Sequence, residues 1–135
     1  MAHVLFVCVN NAGRSQMSRA LLVRAAGDLH EARSAGSDPA AHVHPEVIEV
    51  MDELGIDLRE EVPKPITPEL ATWADVVVTM GCGDACPYVP GTRYVDWELP
   101  DPAGRGIDEV RAVRDDIAGR VDALIDALST GTTTE

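Results

Sequence analysis

Positive charge is scarce in this chain, and lysine is scarcer still. Eleven lysines and arginines stand against 23 aspartates and glutamates, and Lys64 is the single lysine. The net charge of −12 argues against a nucleic-acid partner or an anionic membrane surface, because either would be repelled. No apolar run approaches the roughly 18 residues of a membrane span, and no basic region precedes the short apolar stretch near the N-terminus. Neither a spanning helix nor a secretory leader is therefore expected, and the cytoplasm is the expected location. Three cysteines do not make a disulfide scaffold. None is needed, since a chain of 135 residues buries roughly two-thirds of its unfolded surface. Internal repeats and long linkers are also missing, so residues 1–135 read as one domain.

What the chain has instead is concentrated near its start. Cys8-Val9-Asn10-Asn11-Ala12-Gly13-Arg14-Ser15 follows the apolar stretch Val4-Leu5-Phe6-Val7 and precedes a helical pattern beginning near Ser15. A strand, a turn and a helix N-terminus in that order bring backbone N–H groups together where the helix dipole favours negative charge. Val9, Asn10, Asn11, Ala12, Gly13 and Arg14 are thus the candidate oxyanion-binding residues. Asn11 and Gly13 accept the positive φ that such a loop requires. Arg14 presents a planar fork suited to two oxygens of a tetrahedral anion. Cys8, at the lip of the loop, is the candidate nucleophile, with Arg14 and the helix N-terminus favouring its thiolate. A global charge of one sign leaves anion binding to these short-range donors, since bulk charge is screened beyond about 10 Å.

The rest of the chain alternates strand and helix, which reads as βαβ units around a four-stranded parallel sheet with helices on both faces. Strands are expected near 3–8, 31–35, 75–79 and 92–96, and helices near 15–27, 44–54, 67–72 and 106–129. Pro45 suits the first turn of the second helix. Val110, Val113, Ile117, Val121, Leu124, Ile125 and Leu128 recur at spacings of three and four, a stripe that must face the sheet. Thr130 to Glu135 reads as a frayed tail.

Cys-x5-Arg-Ser at this position resembles the low-molecular-weight protein tyrosine phosphatase superfamily, and Arg14-Ser15-Gln16-Met17 resembles its arsenate reductase branch. Ser34-Ala35-Gly36, Gly55-Ile56-Asp57, Val76-Val77-Val78-Thr79-Met80 and Trp97 followed by Asp101-Pro102-Ala103-Gly104 extend the resemblance over nearly the whole chain. The resemblance implies that Cys8 attacks arsenate, that phosphate and sulfate compete for the loop, and that Asp101 protonates the leaving oxygen. It also implies that Ser15 hydrogen-bonds the Cys8 thiolate and that Asn11 fixes the loop. Ser15 reads equally as a helix N-cap. Phosphatases of this superfamily usually carry Tyr after the Asp-Pro, where this chain has Ala103.

Cys82 and Cys86 leave the third strand at the sheet edge where Cys8 also emerges, so the three thiols can meet. By resemblance to three-cysteine arsenate reductases, Cys82 resolves the Cys8 adduct and Cys86 presents the disulfide to thioredoxin. Those enzymes place six residues between the two cysteines, whereas Gly83, Asp84 and Ala85 alone intervene here, leaving the relay order open. A branch using mycothiol as the external thiol, and a phosphatase acting without thiols, are the alternatives. No bound cofactor is expected. A zinc site would need two ligands besides Cys82 and Cys86, and His42 and His44 lie in an unrelated stretch that reads as a polar loop. Some relatives hold potassium with an acidic residue where this chain has Arg19, so no metal is expected. A monomer acting on arsenate and thioredoxin is the overall expectation.

Overall fold

The computed structural model describes residues 2–81 and 89–130, with backbone alone at 129 and 130; Cys82 and Cys86 lie outside the described residues. Its strands are β1 (His3–Cys8), β2 (Glu31–Gly36), β3 (Val76–Met80) and β4 (Arg93–Asp96), and its helices α1 (Arg14–Ala26), α2 (Pro45–Asp52), α3 (Pro68–Trp73) and α4 (Ile107–Thr130). A short 3-10 turn, Gly27–Leu29, joins α1 to β2. All pairings are parallel, in the order β2-β1-β3-β4.

This order places β1 in the centre and makes the gap beyond its C-terminal end the point where the chain's winding reverses. Open α/β sheets bind ligands in that crevice. Cys8, the last residue of β1, pairs with Gly36 on one side and Met80 on the other. A central strand must be apolar on both faces, and Val4 to Cys8 are all buried. On one face Val4, Phe6 and Cys8 join Val76, Val78 and Val95 under Met17 and Leu22 of α1, Val47 and Val50 of α2, and the Val110–Ile117–Leu124 stripe of α4. On the other, Leu5, Val7 and Val77 are covered by Ile66 and by Leu70 and Trp73 of the short α3. Helices thus flank both faces unequally. Among the described residues, no helix is long and apolar enough to cross a membrane.

Element boundaries shift from expectation by a residue or two, and two of the shifts have identifiable reasons. α1 begins at Arg14, as Gly13 leaves the loop as its N-cap and no side chain caps it; Ser15 thus lies inside the helix, its hydroxyl turned to Cys8. α2 ends at Asp52, shortly before Gly55 takes a φ of 77° that a helix cannot continue. α4 runs through Thr130, one residue past its expected end. Pro68, like Pro45, occupies a helix's first turn, and Thr67 caps α3 by accepting from the Leu70 N–H at 3.2 Å.

Candidate active site

The loop after β1 is held from outside by its carbonyl groups. Those of Cys8, Val9, Asn10 and Ala12 accept from the N–H groups of Ser37, Asp38, Ala40 and His44 at 3.1, 2.7, 3.0 and 3.0 Å. Asn10 adds a bond from its Nδ2 to the Asp38 carbonyl at 2.8 Å. With these carbonyls tied outward, the Asn11 N–H points at Cys8 Sγ, 3.3 Å away. Asn11 makes this possible by adopting φ 49°, the single positive φ among the described residues other than glycine.

The Asn11 side chain braces the turn. Its Nδ2 donates to Ser15 Oγ at 2.7 Å, and its Oδ1 accepts from the Lys64 N–H at 2.9 Å and from Gln16 Nε2 at 3.2 Å. Gln16 Nε2 also reaches the Asn11 carbonyl at 3.1 Å. Asn11, Ser15 and Gln16 are wholly buried, so each of these bonds replaces water that is not there. Ser15 Oγ lies 2.9 Å from Cys8 Sγ. Having accepted a hydrogen bond from Asn11 Nδ2, that hydroxyl keeps its own hydrogen to donate to the sulfur.

Arg14 is 8% exposed, and its guanidinium is fitted between three segments. Nη1 donates to the Leu99 carbonyl at 3.3 Å, and Nη2 lies 3.8 Å from Asp101 Oδ2. A Cβ on Gly81, at the exit of β3 with φ 91°, would come within 3.0 Å of Nη1. Glycine is needed there for both conformation and space. A crevice of about 520 Å³ lined by Gly81 and Asp96–Pro100 adjoins this guanidinium.

Asp101 lies on the loop leaving β4, its Oδ1 accepting the Ala103 N–H at 3.0 Å. The next residue packs on the anion loop: a Cβ on Gly13 would meet Pro102 Cγ at 2.9 Å and the His44 ring at 3.6 Å. His44, expected to be a plain loop residue, therefore stands beside the site. The structure brings together Cys8, the 9–13 loop, Arg14, Ser15 and Asp101. Gly36, Gly81, Gln16 and the Lys64 amide went unmarked as site residues, since proximity alone brings them in. Among the described residues no group of acidic, histidine or cysteine side chains is placed to hold a metal.

A buried thiol at the end of a central parallel strand, a loop that turns the Asn11 amide onto it and an arginine opening the next helix define a thiol-bearing oxyanion site. The chain belongs to the low molecular weight phosphotyrosine protein phosphatase family, whose model matches residues 3–133. Within that family it is 44% identical over 126 residues to a Halobacterium salinarum protein provisionally named arsenate reductase, covering 90% of this chain and 89% of the relative. It is 35% identical over 132 residues to a glutaredoxin arsenate reductase of Synechocystis, covering 96% of this chain and the whole of the relative. Among solved structures, a thioredoxin-dependent arsenate reductase from Corynebacterium glutamicum superposes with a TM-score of 0.83 at 42% identity. That match covers 98% of this chain, which spans only 63% of the other's length.

Proposed function

We propose that the protein reduces arsenate to arsenite with Cys8 as nucleophile and a thiol-disulfide relay regenerated by thioredoxin. The observation that carries the reading is the pair of donors on Cys8 Sγ, the Asn11 N–H at 3.3 Å and the Ser15 hydroxyl at 2.9 Å, beside an arginine at a helix N-terminus. They hold a thiolate against the loop that receives the oxyanion.

Arsenate sits on the amides of Val9, Asn10, Asn11, Ala12 and Gly13 and on the Arg14 fork. The Cys8 thiolate attacks arsenic(V), an S–As bond forms, and one As–O bond breaks. The departing oxygen takes a proton from Asp101 and leaves as water. A second thiolate, from Cys82, attacks Cys8 Sγ. An S–S bond forms, the S–As pair of electrons stays with arsenic, and arsenite departs as arsenic(III). Cys86 exchanges into the disulfide, and the thioredoxin dithiol reduces it, restoring the three thiols. This chemistry suits the cytoplasm, where thiols are kept reduced. Supporting the arsenate reading over aryl phosphate are the arsenate reductases among the relatives, at 35% to 44% identity, and Ala103 where an aryl-binding tyrosine would stand.

The test is arsenite release from arsenate by purified protein supplied with thioredoxin, thioredoxin reductase and NADPH. NADPH consumption is expected in the wild type and abolished in Cys8→Ser, Cys82→Ser and Cys86→Ser. Turnover that survives both Cys82→Ser and Cys86→Ser and needs a small thiol such as mycothiol would replace the relay by direct thiol transfer. Phosphatase activity with no arsenite from any reductant would refute the reading.

A further inference from the structure

We propose that Arg105, anchored by Glu109, is a positioning residue that aims Asp101 at the bound oxyanion; this rests on the reading of Asp101 as the acid. The Asp101 side chain is 52% exposed and, among the described residues, is held only by the Ala103 N–H at 3.0 Å and, distantly, by Arg14 at 3.8 Å. The direction of its carboxyl is therefore decided by its main chain.

Arg105 acts on that main chain. Its Nε donates to the Asp101 carbonyl at 2.7 Å, its own N–H donates to the Pro102 carbonyl at 3.2 Å, and its Nη1 reaches Glu109 Oε2 at 2.9 Å. Glu109 stands on α4, one residue before Val110, which is wholly buried in the core. The guanidinium thus links the acid's peptide to a fixed helix. Packing does not do so, because a cleft of about 280 Å³ lined by Pro100, Arg105, Glu109, Ala112, Val113 and Asp116 opens between loop and helix. Two further arginines hold the residues just before Asp101: Arg120 donates to the Glu98 carbonyl and Arg14 to the Leu99 carbonyl, both at 3.3 Å. Among the described residues only Arg105 grips the Asp101 carbonyl. A planar fork can hold a carbonyl from Nε and a carboxylate from Nη1 in fixed directions, which an ammonium cannot. Arg105 and Glu109 side chains are 44% and 61% exposed, so the pair adds little to global stability. Its effect falls on aim rather than on folding.

The experiment follows a single turnover of pre-reduced protein at saturating arsenate, measuring arsenite formed, with inorganic phosphate competition as the binding readout. Arg105→Ala is expected to slow arsenite formation by about tenfold or more, since misplacement of about 1 Å can cost a hundredfold. Phosphate affinity and the thermal midpoint should stay near wild type, and Glu109→Ala should slow the reaction in the same sense. On an Asp101→Asn background, Arg105→Ala should cost less than about twofold, because no acid remains to be aimed. Losses that multiply in the double variant, an equal loss of phosphate affinity, or a wild-type rate in Arg105→Ala would each overturn the proposal. A wild-type rate in Asp101→Asn would overturn the acid assignment itself, and the positioning role with it.

Discussion

Gly36 ends β2 beside the anion loop, and Gly36→Ala isolates how tightly that loop is held. The new Cβ would stand 2.6 Å from the Val9 carbonyl oxygen, 2.8 Å from the Asn11 amide nitrogen and 3.0 Å from Asn11 Cβ. None of these is the far end of a flexible side chain. β2 cannot easily retreat, because the Gly36 N–H and carbonyl are bonded to the Lys64 carbonyl and the Ile66 N–H at 2.8 and 2.9 Å. The loop must therefore yield by about 0.8 Å to reach ordinary contact near 3.4 Å, close to the displacement of about 1 Å that can cost a hundredfold in rate. Overpacking also costs about 1–3 kcal/mol, or about 3–10 °C in a chain of this size. The expected result is a folded protein with a lowered thermal midpoint, arsenate kcat/KM down by about a hundredfold and weakened phosphate competition. Wild-type kinetics in Gly36→Ala would refute the reasoning. A lower midpoint with unchanged phosphate affinity would show that β2, not the loop, gives way.

The complementary substitution is Gly119→Ala on the exposed face of α4, where a Cβ meets nothing within 4 Å. It should stabilise by about 0.5–1 kcal/mol in a thermal melt without changing turnover, and a lowered midpoint would contradict the open space seen there. Ser15→Ala removes the hydroxyl between Asn11 Nδ2 and Cys8 Sγ. It should cost about 1–3 kcal/mol by leaving a buried donor unpaired and should slow alkylation of Cys8 by iodoacetamide at neutral pH; an unchanged alkylation rate would remove Ser15 from thiolate stabilisation. Hydrogen bonds from Arg111 and then Arg114 lower the Glu53 carboxyl from 4.5 to about 2. Its contribution to stability is therefore complete above about pH 4.5 and lost as pH falls toward 2. The difference in midpoint between wild type and Glu53→Gln should accordingly be constant above that range and vanish near pH 2, and a difference that persists there would disprove the linkage.

The parts of the site visible in the sequence are those whose chemistry is local. Cys8, Asn11, Gly13 and Arg14 lie within one turn, and the turn's needs are written in its own residues. The sheet was similarly legible, because alternation of apolar strands with amphipathic helices leaves few arrangements. The Ser15 N-cap reading failed on position, since the helix already begins at Arg14 with Gly13 as its N-cap. What stayed hidden depends on contacts between distant segments. Lys64, 53 residues from Asn11, contributes a backbone N–H that no side-chain motif can announce. Gly36 and Gly81 matter because nothing larger fits beside Asn11 and Arg14, a fact of approach rather than of type. Arg105 joins the acid loop through a carbonyl, which every residue possesses.

A chain of net charge −12 that takes up an oxyanion must keep one cation uncommitted. Several arginines away from the site are spent on carboxylates: Arg111 and Arg114 grip Glu53 at 2.6 and 2.7 Å, and Arg59 pairs with Asp52 and Asp57. Arg14 is buried yet holds its partners loosely, the Leu99 carbonyl at 3.3 Å and Asp101 at 3.8 Å. A shielded guanidinium with long contacts has hydrogen-bonding capacity in reserve, and burial strengthens its attraction for an incoming anion while the acidic surface beyond is screened by salt. The overall charge of the molecule and the charge at its site are thus set independently, the first by exposed carboxylates and the second by where a single arginine is kept dry and underused.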